Sequence, residues 1–139
     1  MTTRIERVTD LTASLAIRAA VFIEEQGVPP GEEVDGDDPI CQHWLMTDAI
    51  GPVATLRVRP KGALAKIQRV AVMRRARGTG LGAALMRHVM DDLRAQGVEG
   101  VILGAQTQVI GFYEKLGFEA FGPVYDDAGI PHRDMRAGL

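Results

Sequence analysis

The chain contains one cysteine, few aromatic residues and no long hydrophobic run. A lone Cys41 excludes an internal disulfide framework and a cysteine-rich zinc ribbon. No apolar stretch approaches the roughly 18 residues that cross a bilayer. Residues Met1 to Asp10 lack the apolar centre of a secretion signal. These features predict a reduced, cytoplasmic protein with no membrane partner. Aromatics make up only 5%, so Val, Ile, Leu, Met and Ala must supply the core. Neither sign of charge dominates: 16 Lys plus Arg against 18 Asp plus Glu leave a net charge of −2. That excludes a nucleic-acid binder that relies on bulk positive charge.

What is present suits one domain over residues 1–139. A chain of 139 residues is long enough to enclose a substantial core, and its 46% hydrophobic and 24% charged shares are ordinary. Thr3 to Val8 alternates like a strand. Asp10 or Thr9 can cap the segment that follows, in which Leu11, Leu15, Ala19, Phe22 and Ile23 recur at helical spacing. Gly27 and Pro29-Pro30 stop that helix. Gly31 to Pro39 then forms an acidic run with five carboxylates. His43–Thr47, Val53–Val58 and Leu64–Val72 read as three strands, the last two joined by a hairpin at Pro60-Lys61-Gly62. After a basic, glycine-punctuated stretch, Leu81, Leu85, Val89 and Leu93 line one helix face, and Gly97 ends that helix. Val98–Leu103 reads as a strand, Gln106–Leu116 as a short helix stopped by Gly117, and Phe118–Phe121 and His132–Met135 as closing strands. The order β-α-β-β-β-α-β-α-β-β predicts a mixed α/β domain.

The stretch Arg74-Arg75-Ala76-Arg77-Gly78-Thr79-Gly80-Leu81-Gly82 lies between a strand and a helix. Glycines at 78, 80 and 82 leave backbone N–H groups uncovered, and the helix start adds its unpaired donors and the positive end of its dipole. The pattern describes a pyrophosphate cradle. Tight strand-to-helix packing is the plainer alternative. Gly78-x-Gly80-x-x-Ala83 also fits a dinucleotide fingerprint, but Glu99, at about the right distance for the ribose carboxylate, precedes its strand instead of ending it. The Gly-Lys-Ser/Thr triplet of ATP-type phosphate loops does not occur.

Arg75-x-x-Gly78-x-Gly80 resembles the signature of the GCN5-related N-acetyltransferase (GNAT) family, and Gly111-Phe112-Tyr113-Glu114-Lys115-Leu116-Gly117-Phe118 resembles its second signature. Val70-Ala71-Val72 is similar to the end of the family's fourth strand. Three further stretches resemble the ElaA-like branch: Val21-Phe22-x-x-Glu25-Gln26-Gly27-Val28-Pro29, Glu33-x-Asp35-Gly36-x-Asp38 and Gly129-Ile130-Pro131-His132. The resemblance implies a mostly antiparallel mixed sheet of six to seven strands, splayed between the fourth and fifth and flanked by about four helices. It implies acetyl-CoA as acyl donor and direct transfer to a primary amine of a small molecule or peptide. By the same resemblance, amides of Gly78, Thr79, Gly80, Leu81 and Gly82, with Arg75 and Arg77, hold the pyrophosphate. The backbone of Val70, Ala71 and Val72 pairs with the pantetheine arm, beside Phe112. Gln106 stands where many members carry an asparagine. A homodimer is common in the family.

Tyr113 matches the family's usual general acid, and a phenol can donate a proton to a departing thiolate. Packing at the core edge is its plainer role. The base that deprotonates the amine is open among Glu25, Glu33, Asp35, His43 and His132. His43 and His132 could equally be bonded to backbone, and the acidic run could be a solvated loop or a lure for a cationic amine. Arg69 could contact substrate or form a structural salt bridge. Cys41-x-His43 with Asp35 and Asp38 could ligate zinc, but two such ligands without a second pair make a metal unexpected. A dinucleotide oxidoreductase and a non-catalytic acyl-CoA sensor are the competing functional classes.

Overall fold

A computed structural model describes residues 2–139. Its framework is a seven-stranded sheet with the order β1-β2-β3-β4-β5-β7-β6. The strands are β1 (Arg4–Val8), β2 (Gln42–Thr47), β3 (Pro52–Lys61), β4 (Leu64–Val72), β5 (Gly100–Gln106), β6 (Glu119–Asp127) and β7 (Ile130–Gly138). All neighbours are antiparallel except β4 and β5. The mixed, mostly antiparallel sheet is the one that the element order and the resemblance predict. No helix among the described residues is long and apolar enough to cross a membrane.

The two sheet faces are covered by different helices. On one face α3 (Leu81–Ala95) and α4 (Ile110–Glu114) bury Leu85, Met86, Val89, Leu93 and Tyr113 against Trp44, Met46, Leu56, Ile67, Leu103 and Met135. On the other, α1 (Thr12–Arg18) runs on as a wider π-helical segment over Ala19–Glu25, and Ile17 and Val21 meet Leu45 and Ala71. The N-cap of α1 is Leu11 and not Asp10 or Thr9; Asp10, one residue earlier, accepts from the Thr12 N–H at 3.0 Å and from its hydroxyl at 2.7 Å.

Two expected boundaries move for a shared reason. Gly97 and Gly117, at φ +89° and +93°, each close a helix with paired backbone bonds. Gly97 N–H donates to Arg94 and Val98 N–H to Leu93; Gly117 N–H donates to Glu114 and Phe118 N–H to Tyr113. Val98 and Phe118 therefore belong to helix caps and not to the strands that follow. Gln106, read as helical, ends β5. The last hairpin is longer than Phe118–Phe121 and His132–Met135 imply. Its turn residues Ala128 and Gly129 both take positive φ, the geometry of a tight two-residue hairpin turn.

β4 and β5 pair only at Leu64–Gly100, Ala65–Val101 and Lys66–Ile102. Beyond these residues they part, leaving the facing edges of Ile67–Val72 and Leu103–Gln106 unpaired with each other. β4 also bulges, because two residues, Arg69 and Val70, stand opposite Leu56 between the Arg57–Gln68 and Thr55–Ala71 pairs. Arg69 sits at the bulge with φ +55°, a costly conformation for a residue with a side chain. The splay and the bulge coincide at the end of β4 that leads into the glycine loop.

Candidate active site

The glycine loop lies where β4 ends and α3 begins. Gly78 and Gly80 have φ of +76° and +83°, and a Cβ added to either would meet nothing within 4 Å. Their backbone therefore faces open space. Gly82 is glycine for a different reason, since a Cβ there would lie 3.2 Å from Val72 Cγ2 and 3.6 Å from Phe112 Cζ. It lets the first turn of α3 approach both the end of β4 and α4. Among the described residues, the N–H groups from Gly78 to Ala83 make no backbone hydrogen bond. Unpaired donors, open space and a fifteen-residue helix pointing its positive end outward suit a pyrophosphate.

The arginines beside the loop are committed elsewhere. Arg75 grips Asp48 with both terminal nitrogens, at 2.7 and 3.0 Å, and braces the β2–β3 turn. That grip holds the Asp48 carboxyl below the usual range. Arg77 donates to the Val72 carbonyl at 3.0 Å and pairs with Glu25 at 2.7 Å, while Arg74 reaches Glu25 at 3.6 Å. The hydrogen bond from Arg77 holds the Glu25 carboxyl down as well. The loop thus presents bare amides more than free positive charge, and Glu25 is a tether between the end of the π-helical segment and the loop.

Tyr113 projects from α4 into the core, 7% exposed, edge-on to Phe112 and Phe118 at 5.0 and 5.8 Å between ring centres. No hydrogen bond engages its hydroxyl among the described residues. Burial pushes the phenol's pKa well up, so it stays protonated at neutral pH. Gln106, at the end of β5, exchanges amide hydrogen bonds with Gln26, the shorter at 2.8 Å, and accepts one from Gln108 at 2.6 Å. Gln26 follows the π-helical segment, so the pair spans the mouth of the splay.

The acidic run divides: Glu32 is exposed, while Glu33, Asp35 and Asp38 are held by arginines. Its residues in α2 (Pro30–Glu33) and the turn beyond fold onto the α1 face of the sheet and meet buried arginines. Arg18 and Arg57 are each 1% exposed. Arg18 bonds Glu33 and Asp38, and Arg57 bonds Asp35, Asp38 and Gln68. Arg69 reaches the Glu33 carbonyl at 3.2 Å and Asp35 at 3.1 Å. The three arginines balance Glu33, Asp35 and Asp38. Hydrogen bonds from Arg57 hold the Asp35 carboxyl far below its usual range. Burial opposes ionisation of Asp38, but hydrogen bonds from Arg18 and Arg57 outweigh it and lower that pKa as well. With Glu33, Asp35 and Asp38 engaged this way, this part of the run is a charge-balanced wall, while Asp37 pairs with Arg59 at the rim and Glu32 stays exposed.

His43 stands beside Arg57 across β2 and β3, 4% exposed, with Nε2 on the Asp38 carbonyl at 2.9 Å. Cys41 is half-buried, and burial raises its thiol pKa. The fifth expected contact residue, His132, lies apart from this wall, opposite Gln106 on β7. Tyr125, Asp134 and Gly104 surround it, and the sequence reading did not single them out. The alternation His132-x-Asp134, which puts both on one strand face, was the available signal.

Comparison with known proteins places this geometry among relatives. Residues 21–139 match the family model described as "Acetyltransferase (GNAT) domain". Protein ElaA of Escherichia coli is 31% identical over 133 residues, covering 92% of this chain and 87% of ElaA. The crystal structure of E. coli ElaA superposes with a TM-score of 0.86, at 29% identity, over 98% of this chain and 99% of that one. A crystal structure of an acyl-CoA N-acyltransferase from Pseudomonas aeruginosa gives 0.84 at 30% identity, covering 98% of each chain. A Bacillus subtilis acetyltransferase in complex with CoA shares the fold, with a TM-score of 0.76 at 13% identity over 99% of each chain.

Proposed function

The chain belongs to the GNAT acetyltransferase family, and from that premise we propose that it moves an acetyl group from acetyl-CoA directly to a primary amine. The observation that carries the reading is the bare backbone of Gly78 to Gly82 at the end of a strand that parts from its neighbour. Acetyl-CoA supplies the activated acetyl group as a thioester. The amides of Gly78, Thr79, Gly80, Leu81 and Gly82 hold its pyrophosphate. The free edge of Val70, Ala71 and Val72 satisfies its backbone groups on the pantetheine arm, as an unpaired strand edge must find partners. Arg75 and Arg77 act here as braces, fixing the loop through Asp48, Glu25 and the Val72 carbonyl. Gln106 and Phe112 line the same cleft. The bound CoA of the Bacillus subtilis structural neighbour supports this choice of ligand.

Tyr113 keeps its proton and holds it without a competing acceptor, so it serves as the acid that protonates the leaving sulfur. The family assignment and the antiparallel strands that precede the loop argue against a dinucleotide oxidoreductase. A thiol-release assay with acetyl-CoA and a panel of small-molecule and peptide amines tests the proposal. Free CoA should appear only when an accepted amine is present. Acetyl-CoA binding without thiol release from any amine would make the protein an acyl-CoA sensor instead.

A further inference from the structure

The face of β5, β7 and β6 opposite α4 carries a small polar group unlike the buried wall. Ile102, Gly104 and Gln106 of β5 point there, because Val101, Leu103 and Ala105 point into the core beneath α3 and α4. His132 stands across from Gln106, and Asp134 across from Gly104. Tyr125 of β6 stands across from His132, with the two rings stacked at 5.9 Å and 23°. Its hydroxyl donates to Asp134 at 2.7 Å. Burial, together with that hydrogen bond, pushes the Tyr125 phenol up, so it keeps the proton it donates. Gly104 has no side chain because a Cβ there would overlap the Tyr125 hydroxyl.

This arrangement fixes the chemistry of one imidazole. His132 Nδ1 lies 2.7 Å from the Ile130 carbonyl. A carbonyl can only accept, so Nδ1 carries the hydrogen and Nε2 of the neutral ring carries the lone pair. No other hydrogen bond engages the His132 imidazole among the described residues. Its neighbour Gln106 borders the splay, where β5 no longer has β4 beside it. Building on the proposed amine acetylation, we infer that His132 is the general base for the acceptor, held in place by the Ile130 carbonyl and the Tyr125–Asp134 pair.

The need for a base is large. A primary alkylamine with a pKa of about 10.4 is neutral in only about one molecule in 2,500 at pH 7. In the step, Nε2 takes one proton from R–NH3+ and becomes imidazolium. The freed nitrogen pair forms the C–N bond to the acetyl carbonyl as the C–S bond breaks and its electrons pass to sulfur. The nitrogen then gives up a second proton, which passes through solvent to the phenolate that Tyr113 becomes when it protonates the sulfur, and the imidazolium returns its proton to solvent. One ammonium and one thioester yield one amide, one thiol and one proton.

The test pairs ethylamine with trifluoroethylamine, which has the same carbon frame but arrives mostly neutral. His132→Gln should lower kcat/KM for ethylamine by about 100-fold or more, should leave trifluoroethylamine nearly unchanged, and should be partly rescued by added imidazole. Gly104→Ala, which pushes Tyr125 off its seat, should act in the same direction by less. Nitrogen-15 NMR of the wild-type imidazoles should show His132 protonated at Nδ1 and bare at Nε2, whatever the activity. Equal losses on both amines, or a hydrogen on Nε2, would overturn the inference while leaving the parent reading intact. Wild-type protein that fails to bind acetyl-CoA in calorimetry would overturn both.

Discussion

Arg57 is enclosed by Asp35, Asp38 and Gln68, while Gly80 faces open space with no side chain at all. Both regions look ligand-seeking in sequence, one dense in charge and the other dense in glycine. The fold satisfies the charge internally: three carboxylates meet three arginines beneath α1 and α2. It leaves the glycine backbone unsatisfied, with donors and no acceptor. Groups already paired stabilise the protein, and groups still unpaired are available for a ligand. The charge-rich region is therefore architecture, and the proposed binding site is the region with almost no side chains.

The sharpest way to break this contrast is to unbalance the wall. Arg57→Ala leaves Asp35 without its main partner and Asp38 with Arg18 alone, and should cost about 3–5 kcal/mol in denaturant unfolding, the usual penalty for stranding half of a buried pair. A loss below about 1 kcal/mol would mean that water reaches the wall. Next in size, Tyr113→Phe should lower turnover by about 100-fold with acetyl-CoA affinity unchanged, as measured by steady-state kinetics and calorimetry. Gly80→Val puts two methyl groups into the open space over the loop and should weaken acetyl-CoA binding at least about tenfold, or about 1.4 kcal/mol. The left-handed φ also costs stability there, about 1–2 kcal/mol, so melting and binding must be read together.

Acid should separate the regions too. Asp35 and Asp38 have folded-state pKa values below their unfolded ones. Their contribution is complete above the unfolded value of about 3.9 and is lost as pH falls below it toward the folded values. Stability should therefore drop below about pH 4, and less steeply in Arg57→Ala. The smallest effect is expected at the rim. Arg59 and Asp37 pair at 3.0 Å with side chains 44% and 34% exposed, so Arg59→Ala should change stability by less than about 1 kcal/mol.

Much of this was legible in the residues. The alternation of Val53–Val58, the Gly62 hairpin and the helical spacing of Leu81, Leu85, Val89 and Leu93 all reflect local physics, and the structure places them as strands, turn and helix. The glycine loop was legible because three glycines at alternate positions before a helix have few other uses. The fate of Arg74, Arg75 and Arg77 was not, since their partners Glu25 and Asp48 lie far away in sequence. The buried wall was hidden for the same reason: Arg18 and Arg57 reach the acidic run only when α1 and β3 are stacked. Tyr125 was masked by Gly122 and Pro123, which resemble a turn but form a bulge that continues β6.

The most direct test of the central claim follows backbone amides by nitrogen-15 NMR while CoA or pantetheine is added. CoA carries the pyrophosphate and pantetheine does not. The account predicts that the amides of Gly78 to Ala83 shift strongly with CoA and stay in place with pantetheine. Amides that ignore CoA, or move equally with both ligands, would contradict it.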